Sequence, residues 1–343
     1  MSDVLTYKCP NCAAPLAFDI QSQQWNCAFC DSHFVLEDLR ETLGVDAQVD
    51  VYDHEASHVY SCPSCGGRVI TEKNTTATFC IYCHNPTVIA ANLSGEYRPA
   101  YLIPFKVEKA AAISALQKLC RQYPLLPSDF RNYVAKGEVS GLYVPYWLYS
   151  TDVQGDMQAR AHRISSWTSG NYRYTKTDTY QVIRKASMSF HHIPADASTK
   201  MDDALMESME PFDYTCLVPF EMGYLSGHFA ESYDVDKGQA SPRAMSRMRE
   251  ATREMLSSTI SGYTSYDISS LEARHTALEI SYALLPVWTV MTEYQGKRYL
   301  FAMNGQTGKI TGHLPIAWNR AALIAGILFS ALTALAALGG FLL

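Results

Sequence analysis

The residues most able to do chemistry in this sequence are its cysteines. Eight of the ten fall into four C-x-x-C pairs: Cys9/Cys12, Cys27/Cys30, Cys62/Cys65 and Cys80/Cys83. The pairs form two matching sets, each with 14 residues between its inner cysteines (Ala13–Asn26 and Gly66–Phe79), and the second set repeats the first at an offset of 53. Both sets open on C-P-x-C, as Cys9-Pro10-Asn11-Cys12 and Cys62-Pro63-Ser64-Cys65. A C-x-x-C loop turns two thiolates toward one point. Two such knuckles on facing hairpins complete a tetrahedral S4 site, whose geometry and soft donors suit Zn²⁺. Cys9, Cys12, Cys27 and Cys30 are therefore expected to hold one zinc, and Cys62, Cys65, Cys80 and Cys83 a second. Four thiolates leave no position for water, so both ions would be structural. A rubredoxin-like iron site and disulfides are the other fates open to such cysteines. Met1 to Lys8 has neither the basic nor the apolar region of a secretory leader, which counts against disulfides.

A second candidate lies between the sets. His54-Glu55-Ala56-Ser57-His58 matches H-E-x-x-H, in which two histidines on one helical face bind zinc and the glutamate acts as general base. This would make the chain a zinc metallopeptidase. The context argues otherwise: Cys62 begins a knuckle within a few residues, no third ligand follows, and Val49, Val51, Val59 and Tyr60 favour extended chain. The segment reads better as linker.

Charge narrows the partners. Residues 1–92 hold four Lys and Arg against eleven Asp and Glu, a net −7 inside a chain whose total is −6. Each zinc with four thiolates adds about −2. Phosphate backbones are bound by Lys and Arg that release counterions, so a nucleic-acid ribbon is disfavoured and a protein partner favoured.

Elements must position these ligands. Short strand-like runs at Gln24-Trp25-Asn26 and Ala77-Thr78-Phe79 lead into the second knuckle of each set. After Leu93 two halves echo each other. One runs from Ile103-Pro104-Phe105 through a helix to Val144-Pro145-Tyr146-Trp147; the other runs from Val218-Pro219-Phe220 through a helix to Leu285-Pro286-Val287-Trp288. Ile113, Leu116, Leu119 and Cys120 give the first helix its period, over Val107 to Gln122. Ser241-Pro242 predicts the start of the second helix, which ends near Ser257 and buries Met245, Met248, Met255 and Leu256. Trp288–Tyr294 and Arg298–Met303 read as a hairpin around Gln295-Gly296-Lys297. Asn304-Gly305-Gln306-Thr307-Gly308-Lys309 reads as a β-turn, because the full phosphate-loop spacing is absent. No catalytic constellation stands out, and Cys120 and Cys216 read as buried thiols.

Ala321 to Leu343 is a run of 23 uncharged residues behind Trp318 and Arg320. At ~1.5 Å per residue it spans about 34 Å, enough for a ~30 Å hydrocarbon core. Its expected role is a tail anchor, with Lys309 and Arg320 placing the N-terminal domains in the cytoplasm.

Tandem C-P-x-C ribbons, repeated P-x-W strands, the N-G-Q-T-G-K-I turn and the terminal apolar run together resemble a bacterial family of membrane-associated proteins. Members carry tandem zinc ribbons of the transcription factor IIB type. The resemblance covers nearly the whole chain. It implies partners such as phage-shock protein A-like and flotillin-like proteins, a part in envelope stress or membrane maintenance, and no catalysis.

The expected fold class is thus small β zinc ribbons in tandem, then an α+β region with an internal repeat and a single C-terminal transmembrane helix. The boundaries are ribbon 1 at 1–36, an acidic linker at 37–58, ribbon 2 at 59–92, the α+β region at 93–316 (halves about 93–200 and 201–316), and an anchor at 317–343. The expected function is an adaptor that recruits or scaffolds proteins at the inner face of the cell membrane. Contact with the lipid bilayer and oligomers formed through the terminal helix belong to that expectation.

Overall fold

The computed structural model describes residues 4–5, 7–35, 38–39, 57–62, 68–72, 74–80, 86–89, 93, 97–136 and 138–341. Sixteen strands run β1 (Val4–Leu5), β2 (Ala17–Asp19), β3 (Gln24–Asn26), β4 (His33–Phe34), β5 (Ser57–Ser61), β6 (Arg68–Glu72), β7 (Thr75–Phe79), β8 (Pro86–Ile89), β9 (Tyr101–Leu102), β10 (Glu138–Ser169), β11 (Tyr172–Asp196), β12 (Val218–Pro219), β13 (Phe229–Glu231), β14 (Ser265–Tyr294), β15 (Lys297–Asn304) and β16 (Ile310–Gly312). Five helices accompany them: α1 (Lys109–Gln122), α2 (Phe130–Lys136), α3 (Asp203–Ser208), α4 (Lys237–Ser258) and α5 (Trp318–Phe341). Eleven strands form one sheet, with β10 and β14 side by side at its centre. β2–β3–β4 form a small sheet of their own, and β5–β6 a separate hairpin.

The two P-x-W segments meet in this sheet. β10 and β14 pair antiparallel with Val144 opposite Leu285 and Pro145 opposite Leu284, so the echoing strands are direct neighbours. Each tryptophan then reaches into the other half. Trp147 Nε1 donates to the Val235 carbonyl (2.9 Å), just before α4, and Trp288 Nε1 donates to the Val107 carbonyl (2.7 Å), just before α1. Burying an indole is favourable only when its N–H finds a partner, and here each partner fixes where a helix starts.

Beyond this core β10, β11 and β14 continue as a three-stranded arm. β10 alone has 32 residues, which at ~3.3 Å each approach 100 Å. Side chains alternate along it: Val153, Met157, Ala159 and Ala161 are buried, the last two against Ile260 and Tyr263 just past α4, while Asp152, Gln154, Gln158 and Arg160 are exposed. α4 supplies the matching stripe of Ala240, Ala244, Met248, Thr252 and Leu256, one residue per turn. Gly155 sits where the helix comes closest; a Cβ there would lie 2.9 Å from Thr252 Cγ2 and 3.0 Å from Leu256 Cδ1. α4 starts earlier than Ser241-Pro242 suggests. Asp236 caps it, accepting from the Gly238 and Gln239 amides while Gln239 reaches back to the Asp236 amide. That reciprocal box satisfies the first donors of the helix and overrides the proline signal. Met255 consequently faces solvent, outside the buried stripe.

Two expectations are corrected. The chain is mostly β, one large sheet with helices laid on it, in place of the expected α+β region, while β2–β3–β4 remain a small sheet of their own. β7 and β8, the hairpin of ribbon 2, are strands of that large sheet, joined through β13 to β10, because their buried faces complete its core. The expected transmembrane helix is also overturned: among the described residues no helix is long and apolar enough to cross a membrane. The expected location, a single-pass cell-membrane protein with its N-terminal domains in the cytoplasm, falls with it.

His228 lies in the middle of the core, 5% exposed, stacked on Phe105 at 4.3 Å with Tyr143 and Trp288 against its edges. Neither ring nitrogen has a hydrogen-bond partner among the described residues. Burial pushes its pKa down to about 4. The unfolded chain therefore binds the proton from about pH 6.5 while the folded chain refuses it until about 4. Stability should fall as pH falls through that window. Asp196 slopes the other way: burial first, then Asp203, raises it to about 7, so the folded state keeps a proton that the unfolded state has lost, and stability falls as pH rises toward 7.

Two measurements follow. In urea titrations between pH 7 and 4, His228→Phe should remove a loss of about 3 kcal/mol that the parent suffers, read as the difference between the two curves. Gly155→Val should lower stability by about 1–3 kcal/mol through overpacking against α4, seen as a lower melting temperature.

Candidate metal centre

Ribbon 1 is built from two tight knuckles. In the first, the Cys9 amide donates to Ala14 O (2.7 Å) and the Ala13 amide to Cys9 O (2.8 Å), with Ala13 at φ 61. In the second, the Cys27 amide donates to Ser32 O (2.9 Å) and the Asp31 amide to Cys27 O (2.9 Å), with Asp31 at φ 57. Each knuckle thus ends on a non-glycine residue in the left-handed region, strain that persists only where something holds the loop closed. β2, β3 and β4 set the two knuckles face to face.

The sulfurs of Cys9, Cys12, Cys27 and Cys30 all lie within 4.8 Å of one another. Cys9 Sγ is 3.5 Å from Cys30 Sγ, and Cys12 Sγ is 3.4 Å from Cys27 Sγ. A tetrahedral ion with ~2.3 Å bonds to sulfur fits a cluster of this size. Cys9 and Cys27 are buried; Cys12 and Cys30 face solvent. The sulfurs share their protons unequally. The Ser32 hydroxyl, then Cys12, lowers Cys30 to about 6. At Cys12 the Ala14 amide pulls downward, but hydrogen bonds with Cys27 and Cys30 win and raise it to about 12. Four like charges so close are untenable without a cation among them, so the donor set can hold one metal ion.

Of ribbon 2, Cys62 and Cys80 are described, both buried and packed against each other. Cys65 and Cys83 lie outside the described residues, as do His54 and Glu55. His58 is on β5, paired with Thr71, where the H-E-x-x-H geometry would need a helix. Cys120 is buried on α1 as expected. Cys216 is only partly buried, and receives a hydrogen bond from Lys106 Nζ at 2.9 Å.

The residues missed by sequence reasoning are those that attach ribbon 1 to the body. Trp25, 1% exposed, donates from Nε1 to the Gly223 carbonyl at 2.8 Å. Its ring, Phe18 and Tyr224 form a triangle with centroids 5.0 to 5.2 Å apart. A Cβ on Gly223 would come within 3.1 Å of that indole, so glycine permits the approach. Ser226 Oγ donates to Leu16 O (2.6 Å), the Phe18 amide to Ser226 O (3.3 Å), and Gln23 Nε2 to Phe105 O (3.0 Å). A tryptophan in the otherwise polar run Gln21-Ser22-Gln23-Gln24-Trp25-Asn26 is the one available signal.

Over 345 aligned residues the chain is 34% identical to the uncharacterized protein YdjG of Bacillus subtilis (strain 168), covering 98% of this chain and 100% of that protein. No protein-family model matches the chain, and no solved structure does.

Replacing Cys27 by serine should lower bound metal by one equivalent per chain, measured by elemental analysis. Trp25 emission should shift to longer wavelength as the indole leaves its pocket, since ribbons of this size fold only with their metal.

Proposed function

We propose a scaffolding role for this chain, which belongs to the same family as the uncharacterized protein YdjG of Bacillus subtilis. It acts as a protein adaptor whose metal is structural and whose ribbon presents a docking tip, with no catalytic step. Zinc is the ion that the thiolate set favours, and Cys62, Cys65, Cys80 and Cys83 are assigned a second ion of the same kind.

One observation supports the reading most. Phe29, between the second pair of ligands, is 81% exposed at the tip of a knuckle held from beneath by the cluster and by Trp25. Large aromatics on rigid supports are the anchors that dominate protein interfaces, because little conformational entropy remains to be lost on docking. Val35 adds a second exposed apolar side chain on the same ribbon. The acidic excess of residues 1–92 favours a partner with a basic rim around an apolar pocket. Phage-shock protein A-like and flotillin-like proteins, implied by the sequence resemblance, are the partner classes to test.

Phe29→Ala should keep its metal and its melting temperature but weaken capture of the cognate partner at least about tenfold, measured by surface-immobilised binding. Undiminished capture by both Phe29→Ala and Cys27→Ser would place the docking surface away from ribbon 1.

A further inference from the structure

The arm carries two unpaired sheet edges of opposite charge. Its central strand is bonded on both sides, to β11 from Tyr146 to Ser169 and to β14 from Glu138 to His162. Among the described residues no strand pairs with the outer edge of β11 over Tyr172–Phe190, nor with that of β14 over Ser265–Ile280. Every second residue there turns its backbone N–H and C=O outward, a template for another strand.

Exposed edges are ordinarily blunted by charge, and like charges facing each other across a strand pair destabilise it. Here the two edges differ in sign. The β11 stretch carries Arg173, Lys176 and Lys185 against Asp178, which pairs with Lys176 at 3.0 Å, while Arg184 turns to the end of α4. The β14 stretch carries Asp267, Glu272 and Glu279 against Arg274. Each edge therefore repels its own kind and attracts the other.

Topology sets the orientation. At the base of the arm the sheet continues on both sides, through β13, β7, β8 and β1 on one and through β15 and β16 on the other. Those flanking strands block two arms from lying side by side in the same direction. Arms entering from opposite ends can overlap. Because β11 and β14 both run antiparallel to β10, β14 of one copy then lies antiparallel to β11 of the other, the more stable sense of pairing.

We propose that the arm binds a second copy of this chain, the outer edge of β14 in one copy adding to the outer edge of β11 in the next. The contact is heterologous: each pair keeps one free edge of each sign, and association continues past the dimer.

The full chain is tested by sedimentation velocity in a non-ionic detergent that masks the exposed apolar side chains of α5. The average mass should rise with protein concentration and fall back toward the monomer near ~1 M salt, where the screening length is about 3 Å. Arg173→Glu with Lys176→Glu, and separately Asp267→Lys with Glu272→Lys, should each weaken self-association at least about tenfold. All four positions are exposed, so melting temperatures should stay unchanged. Mixing the two double variants should restore association, since the acidic β11 edge of one now meets the basic β14 edge of the other. A parent chain that stays monomeric overturns the proposal. So does association that resists salt, a double variant that associates like the parent, or a mixture that remains monomeric.

Discussion

The pairing of β10 with β14 is the constraint on which the rest depends. Both strands carry a proline two residues before a tryptophan, and they meet there, Tyr143 opposite Pro286 and Pro145 opposite Leu284. Proline removes a ladder donor, so a central strand tolerates it only where another group takes up the slack. The carbonyls of the two prolines find donors outside the β10–β14 ladder, Pro145 O accepting from the Ala197 amide and Pro286 O from the Gly305 amide. The tryptophans that follow then exchange hydrogen bonds between the halves. An internal repeat that looks like two consecutive modules is in this way one interlocked core, because neither half contains the acceptor for its own indole.

That core reaches ribbon 1 through a short relay. Phe105 stacks on His228 and tilts against Trp288, its carbonyl accepts from Gln23 of the ribbon, the Gly223 carbonyl accepts from Trp25, and the Ser226 hydroxyl donates to the Leu16 carbonyl. A four-cysteine ribbon is ordinarily thought of as a bead whose folding energy is its own. Here Leu16, Trp25, Cys9 and Cys27 belong to the same apolar cluster as Phe105, Tyr143 and Trp288. A metal ion held by the knuckles would thereby also stabilise the body.

Much of the site was legible and less of the fold. Cysteine spacing singled out Cys9, Cys12, Cys27 and Cys30 because tetrahedral coordination leaves few spacings that work, and their sulfurs converge into a cluster that could hold a metal ion. The hairpin at Gln295-Gly296 and the turn from Asn304 were equally readable, since a tight turn demands particular residues; Asn304 Oδ1 accepts from the Gln306 and Thr307 amides as an Asx turn should. The 30-residue strands were not legible. Periodicity shows that a segment alternates, but not that three such segments share one register over their whole length. The long run from Ala321 was read as a span from its length and lack of charge, whereas among the described residues no helix is long and apolar enough to cross a membrane.

The distribution of charge follows from this architecture. With −7 in residues 1–92, the remaining chain is close to neutral, yet its arm separates acid from base across three strands. α4 accounts for part of that arrangement. Arg184 on β11 turns inward to the helix C-terminus, its Nε donating to Thr259 Oγ1 at 3.0 Å and its Nη2 to the Thr259 carbonyl at 3.3 Å, where the helix dipole favours a cation. Lys185, the next residue, faces the opposite side and pairs with Asp156 of β10 at 2.7 Å. The alternation of a strand thus forces one basic residue to serve the helix and its neighbour to serve the open face. Among the described residues no side chain of β14 is hydrogen-bonded to the end of α4, and its acids lie along its edge, Glu272 pairing with Arg274 of the same strand at 2.9 Å.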